Sequence, residues 1–156
     1  MKRTHATAVI GFVLGGLVLG YLVELALVAA GGQAIVPPIS LPITLVGIAA
    51  LVLAFAWPIR RSVTGASKQR IDPFRAMRTA VLAKACSLSG ALVTGLGLGV
   101  TVFLLTRTVV AGGGTVWLAA ATAIGAAVLT AAGLVAEWFC TLPPPEDPDE
   151  KEHAHA

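Results

Sequence analysis

Four long apolar runs follow one another along this chain, and nearly every charge falls in the short stretches between and around them. The runs cover residues 7–30, 41–57, 76–106 and 116–140. A helix rises about 1.5 Å per residue and needs roughly 20 apolar residues to cross a bilayer's hydrocarbon. The pattern therefore predicts an all-α integral membrane protein. Residues 1–142 form a four-transmembrane-helix bundle, and residues 143–156 form a disordered acidic tail.

Turn and cap residues mark the ends of these runs. Gly31 to Pro42 carries no charge and three prolines, Pro37, Pro38 and Pro42, which break helices by removing a backbone donor. An uncharged apolar connection such as Ile35–Ile39 belongs against the outer interface. Ser40 is placed to cap the second helix, and Pro58 is expected to end or kink it just before Arg60 and Arg61. Asp72-Pro73 reads as a helix start, with Asp as cap and Pro in the first turn. A third helix from Pro73 to Thr106 is about 50 Å long, so its first turns project beyond the hydrocarbon. Gly112-Gly113-Gly114 reads as a turn, and Pro143-Pro144-Pro145 cannot continue a helix.

The first run resembles a secretory leader, since it follows Lys2 and Arg3 and ends in small residues. Its length of about 24 residues exceeds the 7–15 of a leader's apolar core, and it carries Glu24. It is read as a retained anchor.

Composition sharpens the picture. The 156 residues are 56% hydrophobic and 12% charged, against roughly 25% charged in an ordinary soluble domain. The net charge of +3 conceals an asymmetry: residues 146–156 hold five acids and one base, a net of −4. Between Arg60 and Arg78 six bases (Arg60, Arg61, Lys68, Arg70, Arg75, Arg78) face the single acid Asp72. Bases in short loops stay on the cytoplasmic side. Lys2, Arg3, that loop and Lys151 then share one side, with Arg107 alone opposite. The expected orientation is N-in/C-in in a bacterial cytoplasmic (inner) membrane, crossed by several passes. Trp57, Trp117 and Trp138 each fall near a helix end, where amphipathic rings prefer the interface. Bases placed this way orient a membrane protein and do not point to nucleic acid.

Helices in lipid associate by close packing of small residues. Gly11 with Gly15 and Gly16 with Gly20 make two such pairs on the first helix. Ala91, Gly95 and Gly99 line the third helix, and Thr122, Ala126, Thr130 and Gly133 the fourth. These faces suit packing within the chain, with homodimerisation as the sharper alternative.

The costly residues are Glu24, Lys84, Arg107 and Glu137, because a charge in hydrocarbon must face protein or water. Glu24 continues the Gly16–Gly20 row, Lys84 shares a face with Ala91 and Gly95, and Glu137 shares one with Gly133 and Thr130. Lys84 and Glu137 lie at matching depth, counted from Arg78 and Leu142, and are expected to form an ion pair between the third and fourth helices. Glu24 and Arg107 are both nearer the outer side, though Arg107 stands almost opposite Lys84 around its helix.

No catalytic, cofactor or metal constellation stands out. Ser87, Ser89 and the threonines have no histidine within a span to activate them. His5, His153 and His155 lie outside the spans. Cys86 and Cys140 are too few for a metal site, and a disulfide is disfavoured on the reducing side. Gly95-Leu96-Gly97-Leu98-Gly99 lacks the strand–turn–helix setting of a nucleotide loop.

The block Asp72-Pro73-Phe74-Arg75-Ala76-Met77-Arg78-Thr79-Ala80-Val81-Leu82-Ala83-Lys84-Ala85 resembles the signature region of a small actinobacterial membrane family catalogued as domain of unknown function 3180. The ending Ala136-Glu137-Trp138-Phe139-Cys140, with its proline-rich acidic tail, shares that likeness, as do Val36-Pro37-Pro38 and Trp57-Pro58-Ile59-Arg60-Arg61. The resemblance implies four spans, an actinobacterial source and a gene often found near folate-biosynthesis genes. It assigns no activity and no site residues. The expected role is that of a non-enzymatic accessory or scaffold subunit without a cofactor, whose partners are the lipid bilayer and another membrane protein or a second copy. A small oligomeric transporter or channel using Glu24, Lys84 and Glu137 is the alternative.

Overall fold

A computed structural model describes residues 5–63, 73–106 and 113–139. Four helices account for almost all of them: α1 Ala6–Ala29, α2 Ser40–Val63, α3 Pro73–Thr106 and α4 Gly113–Phe139. Each contains a stretch long and apolar enough to cross a membrane. The architecture is all-α and lies within a residue or two of expectation for α1 and α3. The loop 64–72 with Asp72, residues 107–112 with Arg107, and residues 140–156 with Cys140 and the acidic tail lie outside the described residues.

Two boundaries depart from the sequence reading. Pro58 does not end α2, which runs on to Val63 and takes Arg60 and Arg61 onto its last turn. A proline removes one hydrogen bond to the preceding turn, and the cations that follow favour the negative end of the helix dipole. α4 begins at Gly113, three residues earlier than expected, so the glycine turn gives its last two residues to the helix.

The close of α1 is built by glycine. The Gly32 N–H donates to Leu27 O at 2.9 Å and the Gly31 N–H to Val28 O at 3.1 Å. That pair is the Schellman arrangement, and it requires a left-handed residue after the cap. Gly31 supplies it at φ +79°, where a side chain would be strained.

Packing order differs from chain order. Among the described residues α1 packs on α3 alone, α3 packs on α4, and α4 packs on α2, which also touches α3. The α1–α3 seam is parallel and exceptionally close. A Cβ on Gly20 would lie 2.6 Å from Leu96 O, and one on Gly99 would lie 2.8 Å from the Tyr21 nitrogen. Gly16 and Gly95 face each other in the same seam. Tyr21 then stacks edge-on against Phe103 at 5.6 Å. The antiparallel α3–α4 seam sets Gly90 beside Thr130, Gly97 beside Ala123, and Gly133 beside Ala83 and Ser87. Both small-residue rows read for these helices, Ala91–Gly95–Gly99 and Thr122–Ala126–Thr130–Gly133, are buried. α2 closes the group through Val52 and Ala56 against Ala83 and Ala136, and Ala49 against Leu129 and Ala132. Cys86 is half-buried against both clusters, a packing role.

Hydroxyls within this packing are satisfied on their own helices. Thr94, Thr101, Thr122 and Thr130 donate to carbonyls one turn back at 2.7, 2.7, 2.8 and 2.9 Å. Such bonds let threonine lie in an apolar medium without an orphaned donor. No buried side-chain N or O among the described residues lacks a partner.

Candidate functional site

The described charges fall at the two ends of the helices, and helix register shows how far apart these ends are. Extending the Gly16–Gly95 register places His5 opposite Lys84. Extending the Gly90–Thr130 and Gly97–Ala123 register places Glu137 opposite Ala83, and Trp117 opposite Phe103. Ala83 and Ala136 do pack in one cluster. One level therefore holds His5, Lys84, Glu137, Trp138, Trp57 and Arg60, and the other holds Glu24, Phe103 and Trp117. From Lys84 to Phe103 along α3 is about 28 Å at helical rise, close to the ~30 Å of a hydrocarbon core. The three tryptophans are 59%, 76% and 53% exposed at Trp57, Trp117 and Trp138. They ring the two levels as interfacial aromatics do.

At the Trp117 end, Glu24 is the largest fully buried side chain among the described residues, 1% exposed. It extends the Gly16–Gly20 row into the seam with α3, as its spacing predicts. The Ile35 N–H donates to its carboxyl oxygens at 3.1 and 3.3 Å. One acid on α1 thus fastens the connection that follows it. The connection exposes Ile35, Val36 and Ile39, consistent with an apolar strap lying on an interface. Sequence reasoning found the residue but not its partner, because a backbone donor eleven residues away leaves no side-chain signal.

At the other end the two charges that the sequence paired differ in burial. Lys84 is exposed, whereas Glu137 is half-buried and engaged. Lys84 is left exposed on the α1 side because α1 begins only at its level, so nothing on α1 among the described residues covers it. The equal depth of the two charges agrees with their counts from the surface. Beside them is a cluster the sequence did not suggest. The Arg60 guanidinium lies 4.4 Å from the ring centres of both Trp138 and Phe139. Those rings are 5.5 Å apart. This joins the last turn of α2 to the last turn of α4. The only available signal was three residues in two segments far apart in sequence.

A groove of about 430 Å³ runs along α1, lined by Ala8, Gly11, Phe12, Gly15, Leu19 and Leu92. It includes Gly11 and Gly15, where an added Cβ would meet nothing within 4 Å. Glu24 does not line it. No group of His, Cys, Asp and Glu suited to a metal occurs among the described residues.

A family model described as "Protein of unknown function (DUF3180)" matches residues 6–144. The chain belongs to that family. Its match takes in all four helices, so the whole membrane unit is the family's common part. No curated protein and no solved structure matches.

Proposed function

We propose that this family member is a non-enzymatic scaffold or accessory subunit of the bacterial cytoplasmic membrane, with both ends on the cytoplasmic side. The observation that carries the reading is the placement of charge. Between the Lys84 level and the Glu24 level the described helices meet through glycine, alanine and self-satisfied threonine. Transport needs a polar path across that interval. A packed slab whose charges sit at its rims suits a protein that holds position in the bilayer and presents surfaces to partners. The bases of the Arg60–Arg78 stretch and the acidic segment after α4 are those surfaces.

Two measurements test this. Purified protein in sealed vesicles should pass protons and small ions no faster than empty vesicles. A flux abolished by Glu24→Gln would replace the scaffold with the transporter reading. In intact cells, single cysteines at Gln33 and Gly113, in a background lacking Cys86 and Cys140, should react with an impermeant thiol reagent. Cysteines at Lys68 and beyond Pro145 should not, and labelling at Lys68 would reverse the orientation.

A further inference from the structure

We infer that the exposed face of α3 around Lys84 is a docking site for one anionic phospholipid, whose headgroup phosphate meets the Lys84 ammonium. Helix spacing defines the face. Met77, Val81, Lys84 and Leu88 recur at intervals of three and four and so lie on one side of α3. Met77, Val81 and Lys84 are exposed, and Leu88 is half-buried. Further along, the same side is buried at Ala91 and Gly95, where Gly95 meets the α1 backbone. Because α1 begins only at the Lys84 level, α3 runs on past it with this side bare.

Depth, direction and charge say what covers it. Lys84 stands at the level of Trp57 and Trp138, the rim of the packed slab. A helical side chain leans toward its own N-terminus, and the N-terminus of α3 points away from the slab. The lysine stem is thus directed outward along the apolar side of Val81, which carries the ammonium toward the headgroup layer. Among the described residues no hydrogen bond or ion pair engages that ammonium. Neither α1 nor α3 has an acid in its first turn, and Glu137 on α4, the one described acid at this level, is already engaged. A cation set in an apolar face at the edge of hydrocarbon complements a molecule that joins an anionic head to apolar chains. A soluble anion would satisfy the charge and leave the face bare. A zwitterionic lipid would bring a positive group back to the lysine.

The test places a fluorescent reporter on the face. Leu88→Trp is made in the full chain with Trp57, Trp117 and Trp138 replaced by phenylalanine, and circular dichroism checks that helicity is kept. In vesicles mixing phosphatidylglycerol with phosphatidylcholine, one lipid or the other is brominated on its acyl chains, and quenching reads which lipid lies beside the reporter. Phosphatidylglycerol should be preferred there about five-fold, the ratio expected for one basic residue near a lipid surface. Lys84→Gln should bring that ratio near unity, and Lys84→Arg should keep it. A second reporter, Ile124→Trp, exposed on α4 at mid-span, should show no preference with either residue at position 84. Equal ratios before and after Lys84→Gln would overturn the site and assign the ammonium to Glu137 or to the acidic segment. An equal preference at both reporters would also overturn it, because the lipid would then be following the charge of the whole protein.

Discussion

Gly95→Ala puts the closeness of the α1–α3 seam to a direct test. A Cβ at Gly95 would press on Val13 O and lie 2.8 Å from the Leu17 nitrogen and 2.9 Å from the Gly16 Cα. Ordinary contact between such atoms is about 3.5–4.0 Å. The obstructing atoms belong to a helix backbone, so no rotamer change relieves them, and α1 must withdraw by about 1 Å. A gap of that size forfeits roughly a quarter to a half of each dispersion contact across the seam. Overpacking of this kind typically costs about 1–3 kcal/mol. Alanine also raises helix propensity over glycine, by up to about 1 kcal/mol, which would mask part of the loss. Gly11→Ala removes that ambiguity, because a Cβ there meets nothing within 4 Å on the same helix. The difference between the two variants isolates packing and should be about 2 kcal/mol. Unfolding by sodium dodecyl sulfate in mixed micelles, followed by circular dichroism, gives the comparison. Equal stability of the two variants would refute the seam.

Glu24→Leu should leave the Ile35 N–H without its acceptor, at a cost of about 1–3 kcal/mol if the amide stays buried, while Glu24→Gln keeps an acceptor. Amide exchange at Ile35 should speed up in the leucine variant only; equal protection in both would exclude the fastening role. Arg60→Ala should loosen the ends of α2 and α4 by about 1 kcal/mol and alter Trp138 fluorescence, with Arg60→Lys intermediate. An unaltered spectrum would remove the cluster from the fold's support. If Lys84 reaches Glu137, Lys84→Ala and Glu137→Ala should each destabilise the protein, and the exchange Lys84→Glu with Glu137→Lys should recover much of the loss. Destabilisation by Glu137→Ala alone would show that Glu137 answers to a different partner.

The sequence announced the elements and their faces because one physical rule governs both. Apolar length sets a span, and small residues at intervals of four set where two backbones can touch. Gly16, Gly20, Gly95 and Gly99 were legible for that reason, and so was the burial of Glu24 on the same row. Which face meets which was not legible. Gly11–Gly15 and Gly16–Gly20 have the same spacing, and only the partner helix distinguishes them. The exposure of Lys84 was not legible for the same reason: α1 starts too late to cover its face. The Arg60 cluster depends on α2 passing through Pro58, where local chemistry argues for a stop. Tertiary contact with α4 sustains the last turn that the proline weakens.

The order in which the helices pack, α1–α3–α4–α2, has a consequence for biogenesis. Neighbours in sequence usually become neighbours in space, yet the first two helices of this chain share no contact among the described residues. Emerging one after the other, they cannot settle as a hairpin and must wait in the bilayer as separate inserted rods. The last two helices do form an antiparallel hairpin: α1 can dock on α3 as soon as it emerges, and α2 docks mainly on α4. Until then the bare glycine faces of α1 are open to any other small-residue helix nearby. Synthesis halted before α4 would leave α2 without its main partner. The amino-terminal half of this protein is thus inserted early and assembled late, and the interval is when quality control would encounter it.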